Sequence, residues 1–199
     1  MKVTLKNTRI LFYLSIANIP VCALIFFFVF EGIQSVIINV LLVEYCVAFI
    51  LTLVYFILAL LRFNEATAVV AAYTMFACIF TISIASSVFP HLLNANYANW
   101  LGTLAEVVSL LVAFRSFFVK APAVSLPFKF FGAGIGLIAL PKLFIMLVTT
   151  TINGQLISIT EDAGLLVILP ATCFVLKRMM NFLKNEAAEA PEAVEQQTP

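Results

Sequence analysis

Long apolar runs alternate with short polar breaks along this chain. Six runs reach the length a helix needs to cross a hydrocarbon core of about 30 Å: 10–30, 36–61, 66–89, 97–119, 127–150 and 163–183. Runs of this length exceed any transmembrane strand, and the period-2 alternation of a lipid-facing barrel is missing, so the pattern predicts helices throughout. The expected fold is all-α: a polytopic membrane protein whose residues 1–184 form a bundle of six transmembrane helices. After Lys184 the pattern stops. The segment 185–199, NEAAEAPEAVEQQTP, has four glutamates and no bulky apolar residue except Val194. It cannot bury a core and is expected to be a disordered acidic cytoplasmic tail.

Composition removes the soluble classes. Of 199 residues, 63% are hydrophobic and 11% charged, with a mean hydropathy of +1.12, outside the range of water-soluble domains. Charge then sets the orientation. The basic residues outside the apolar centres fall in alternate connections: Lys2, Lys6 and Arg9; Arg62; Arg115, Lys120 and Lys129; Lys177, Arg178 and Lys184. The intervening connections, around Glu31, from Pro90 to Asn96 and from Thr151 to Asp162, hold no Lys or Arg. Positive residues stay on the cytoplasmic side, so both termini are expected there. The first run follows Lys2, Lys6 and Arg9 as a signal peptide would, but it continues through Ile25-Phe-Phe-Phe-Val-Phe30 without a small-residue cleavage site and reads as an uncleaved span.

Cofactor chemistry finds no purchase. Cys22, Cys46, Cys78 and Cys173 lie on four different spans without a Cys-x-x-Cys spacing, and His91 stands alone. Zinc, haem and iron–sulfur centres are not expected, so no cofactor is assigned. An intramembrane protease would need a His or a metal-ligand motif inside a span, and none is present. The expected surroundings are a lipid bilayer, with no nucleic-acid partner. The chain contains no Asn-x-Ser/Thr sequon, which leaves a bacterial inner (plasma) membrane as the simplest location for a multi-pass protein.

Three ionisable residues break the apolar centres: Glu44 in LLVEYC, Glu106 in TLAEVV and Lys142 in ALPKLF. Each lies about eight residues from the same side of the membrane, a shared depth of roughly 12 Å at 1.5 Å per residue. An ionisable residue at such depth needs a partner and marks a candidate functional site. If Lys142 reaches either acid, one ion pair is retained and the other acid is left able to exchange a proton. Around Glu106, the residues Asn99, Gly102, Thr103, Ser109 and Ser116 recur at helical spacing and define a polar stripe. A second stripe on the third span, Thr74, Ala77, Cys78, Thr81 and Ala85, is expected to face it or a shared cavity. Ile135 and Ile138 leave the outer half as the place for the Lys142 ammonium.

Pro20, Pro141 and Pro170 interrupt three spans and free the carbonyls of Ile16, Leu137 and Leu166, which makes them candidate helix breaks. Gly132 and Gly136 form a Gly-x-x-x-Gly spacing that lets another backbone approach, either within the chain or from a second copy or partner subunit. Glu161 and Asp162 precede the last span and are a candidate cation-attracting mouth, against the plainer reading of a solvated helix start. Together these residues favour a small transporter or channel-like protein for a small solute or ion. The alternative is a non-transporting membrane sensor, scaffold or partner subunit of a larger complex, in which the charges only set helix register.

Overall fold

In the computed structural model, residues 2–30, 36–88, 95–148 and 154–195 are described. Six helices follow one another: α1 (Leu5–Phe30), α2 (Val36–Arg62), α3 (Thr67–Val88), α4 (Ala95–Ser116), α5 (Ser125–Val148) and α6 (Gly154–Glu195). No strand occurs among the described residues. Among the described residues, α1, α2, α3, α5 and α6 each hold a stretch long and apolar enough to cross a membrane. The chain is therefore a multi-pass helical membrane protein. α4 carries Asn96, Asn99, Thr103, Glu106 and Arg115, which make it chemically the most distinctive helix.

Local sequence accounts for the element ends. α1 starts five residues before the apolar run because Thr4 caps it: the Thr4 hydroxyl accepts from the Asn7 N–H at 3.3 Å, and the Thr4 carbonyl accepts from the Thr8 N–H at 2.9 Å. α2 stops at a left-handed residue, Asn64, with φ 48°. There the Glu65 N–H bonds the Leu60 carbonyl at 3.0 Å and the Asn64 N–H bonds the Leu61 carbonyl at 3.1 Å, the pairing that closes a helix when asparagine accepts positive φ. α6 differs from expectation at both ends. It begins at Gly154, nine residues ahead of the expected span, and runs on through the acidic segment to Glu195. Ala and Glu are strong helix formers, and a segment joined to an existing helix avoids the cost of nucleation. Residues 196–199, the last of the expected tail, lie outside the described residues.

Each helix packs on its neighbours in the chain, and α1 also packs on α6. The six therefore form a closed ring in chain order. Lipid removes most of the hydrophobic drive between helices, so close approach and internal hydrogen bonds must hold the ring. Gly134 of α5 and Gly164 of α6 show this: a Cβ at Gly164 would lie 2.8 Å from the Gly134 carbonyl oxygen.

All the basic connections lie at one end of the ring. Arg62 donates to the Val3 carbonyl at 2.9 Å and pairs with Glu186 at 2.5 Å, joining the start of α1, the end of α2 and the extension of α6. At the same end the Glu65 carboxylate accepts from the N–H groups of Lys120 and Ala121 at 2.9 and 2.6 Å, which ties the α2–α3 connection to the α4–α5 connection.

Candidate functional site

The bundle interior is divided by depth. Near the basic end, α2, α3 and α5 fill it with rings: Phe56, Tyr73, Phe128 and Phe131 are fully buried. Phe56 lies edge-on to Phe128 and Phe131 at 5.1 and 5.3 Å, and Tyr73 edge-on to Phe128 at 5.6 Å. The Tyr73 hydroxyl is matched by Ser116 at 2.7 Å, so the layer leaves that polar group satisfied while closing the ring.

Beyond this layer, toward the opposite end, the rings give way to a cavity of about 270 Å³ bounded by α2, α3, α4, α5 and α6. Its walls are mostly apolar, with Phe49, Phe76 and Phe80 prominent. Its polar groups are Tyr45, Ser83, Glu106 and Ser109. Glu106 is held by a cation from the next helix: Lys142 Nζ stands 3.4 Å from Glu106 Oε1. Both side chains keep some exposure, 30% for Lys142 and 16% for Glu106. The pair is neither sealed in protein nor open to bulk water. The ion pair joins α4 to α5 at the cavity wall.

Glu44 does not join the pair. It is exposed on the outward side of α2, and no ion pair links it to a described residue. Its neighbour Tyr45 takes the inward position instead, because consecutive helical residues are about 100° apart. The equal depth of the three ionisable residues is thus not accompanied by a shared face.

The α4 stripe divides along its length. Glu106 and Ser109 line the cavity, and Ser116 is buried against Tyr73 nearer the basic end. Thr103 is half-buried, and Gly102 is exposed with open space where a Cβ would sit. The side chain of Asn99 lies outside the described residues, as do those of Glu161 and Asp162.

On α3 the expectation fails: Thr74, Cys78, Thr81 and Ala85 are exposed, and of that stripe only Ala77 is buried. Thr74 and Thr81 donate their hydroxyls to the carbonyls of Val70 and Ala77, at 2.9 and 2.7 Å. A threonine satisfied within its own helix can face lipid. The inward face of α3 is the bulkier set Tyr73, Phe76, Ile79 and Phe80.

Pro20 and Pro170 are exposed and Pro141 half-buried, and none of the three borders the cavity. The Gly-x-x-x-Gly spacing is taken up inside the chain. A Cβ at Gly132 would meet Ser116 Cβ at 2.4 Å, and one at Gly136 would meet Ala113 Cβ at 3.5 Å. Both glycines therefore seat α4, and this face is not available to a second copy. No group of His, Cys, Asp and Glu that could hold a metal ion occurs among the described residues.

Sequence reasoning missed a second polar site. Ser15 and Asn18 of α1, Thr52 of α2 and Thr172 of α6 are buried around a pocket of about 10 Å³ that shares Tyr45 and Phe49 with the larger cavity. The available signal was the spacing of Ser15 and Asn18, which places two polar groups on one face of an apolar helix.

No protein-family model, curated protein or solved structure matches the chain. The class it belongs to is defined by its own fold, that of a multi-pass helical membrane protein.

Proposed function

We propose that this protein is a small transporter of the bacterial inner membrane that moves a small solute or ion, with proton exchange at Glu106, and that both termini are cytoplasmic. The observation that carries the reading is the Glu106–Lys142 ion pair at the wall of a cavity inside the helical ring. A volume of about 270 Å³ falls just below the usual range for drug-sized ligands and suits a few heavy atoms. The aromatic layer of Phe56, Tyr73, Phe128 and Phe131 would act as the closed barrier on the basic side, with access from the other side. Protonation of Glu106 would release Lys142 and let α4 and α5 separate, and deprotonation would draw them together.

The test is proton flux in proteoliposomes loaded with a pH-sensitive dye, with Glu106→Gln beside the wild type. The substitution keeps shape and hydrogen bonding and removes ionisation. PH-dependent flux in the wild type and its loss in the variant, with unchanged insertion and elution profile, support the reading. Equal flux in both overturns it and leaves the non-transporting sensor or scaffold role, in which the ion pair only sets the register of α4 on α5.

A further inference from the structure

The small pocket between α1, α2 and α6 is lined by oxygen atoms whose hydrogen-bonding is unbalanced. Asn18 is 5% exposed, and its side-chain oxygen Oδ1 is buried without a hydrogen-bond partner. An amide oxygen left so inside a folded protein is costly, on the order of 1–3 kcal/mol, and its persistence points to an absent donor or cation. The two threonine hydroxyls of the pocket give their protons elsewhere. Thr52 gives its proton to the Ala48 carbonyl at 2.9 Å, and Thr172 gives its proton to the Ile168 carbonyl at 2.8 Å. Both threonine oxygens therefore offer the pocket only lone pairs. Ser15 Oγ adds a further oxygen, and its side chain is also buried.

The space matches one small occupant. About 10 Å³ is the room of a single water-sized sphere, which admits one dehydrated alkali cation such as sodium and excludes any organic cation. A water molecule has two protons to give, whereas Asn18 Oδ1, Thr52 Oγ1 and Thr172 Oγ1 are three acceptors on three helices. A hard monovalent cation takes all of them at once, since oxygen atoms are its preferred ligands.

We propose that this pocket is a sodium site, with Asn18 Oδ1 as its principal ligand and the hydroxyl oxygens of Ser15, Thr52 and Thr172 completing the shell. Its three helices include α1 and α6, the pair that closes the ring, so occupancy would fasten the closure. The site does not rest on solute movement through the Glu106 cavity, and it is read here without flux.

The experiment is binding of radiolabelled sodium to the purified full chain in detergent, together with thermal unfolding in sodium, potassium and choline chloride. Saturable binding that choline does not displace, with a melting temperature that rises in sodium and not in choline, is the expected result. Asn18→Leu should lower the affinity at least tenfold. Thr52→Val and Thr172→Val keep the side-chain shape, so each should weaken binding even if Asn18→Leu fails to fold. Absence of saturable binding, equal stabilisation by sodium and choline, or unchanged affinity in both threonine variants would each overturn the proposal and leave a pocket for a water molecule only.

Discussion

Lys142 Nζ and Glu106 Oε1 stand 3.4 Å apart, joining α5 to α4 where neither side chain is fully buried. Two charges in this setting depend on each other more than on their surroundings. Removing one leaves the other in a medium that disfavours its charge, and removing both leaves nothing uncompensated. Lys142→Met should therefore lower stability in detergent, and Lys142→Met combined with Glu106→Gln should recover part of the loss. An interaction energy on the order of 1 kcal/mol is expected from the double-mutant cycle. Strictly additive losses in thermal unfolding would show that the two groups are not coupled in the folded protein.

Glu44 supplies the contrast. It lies on the outward side of α2 and away from the cavity, so neutralising it should not disturb the paired charges. Glu44→Gln is expected to leave proton flux within about twofold of the wild type, and its stability equal or slightly higher, because an exposed carboxyl in hydrocarbon is itself unfavourable by a few kcal/mol. Loss of flux in this variant, with flux retained in Glu106→Gln, would exchange the roles of the two acids.

Packing at the α4–α5 contact can be tested with two glycines that differ only in their surroundings. A Cβ at Gly132 would lie 2.4 Å from Ser116 Cβ and 2.9 Å from the Ala113 carbonyl oxygen, whereas one at Gly102 meets nothing within 4 Å. Gly132→Ala should push α4 away and break the Tyr73–Ser116 hydrogen bond, with a destabilisation of roughly 1–3 kcal/mol as for other overpacked interiors. Gly102→Ala should be neutral or stabilising, since alanine favours the helix over glycine. The melting temperatures of the two variants, measured in one detergent, decide the matter; similar shifts would contradict the close contact.

Much of this architecture is legible in the amino-acid pattern, because a span needs only length and apolarity, and those are local. The spans at α2, α3 and α5 are found within two residues at each end. The ends of α6 are missed because Glu161, Asp162 and the later glutamates read as loop or tail, while helix propensity and continuity with a formed helix decide otherwise. The direction each side chain faces is less legible. Thr74 and Thr81 resemble an inward stripe, yet each satisfies its hydroxyl inside α3 and faces outward. Equal depth does not distinguish Glu44 from Glu106, since rotation about α2 depends on how Tyr45 and Phe49 pack against the other helices. The Asn18 pocket is the least legible of all: its oxygens come from three helices, and only the closure of the ring brings them together.

The orientation of the ring in the membrane is the remaining consequence of its geometry. Arg62 holds both the Val3 carbonyl and Glu186, and Glu65 holds the α4–α5 connection, so four chain segments are fixed to a single end whatever the insertion direction. That end carries Lys2, Lys6, Arg9, Lys120 and Lys184, and the proposed orientation, which follows the retention of positive residues, puts it in the cytoplasm. In a variant with the four native cysteines replaced by alanine, Asn94→Cys should react in intact cells with a membrane-impermeant maleimide. Ala188→Cys should react only after permeabilisation. The reverse pattern would invert the protein while preserving the ring. Labelling of both positions from outside would place the two ends of the bundle on one side and so contradict the alternation of the six helices.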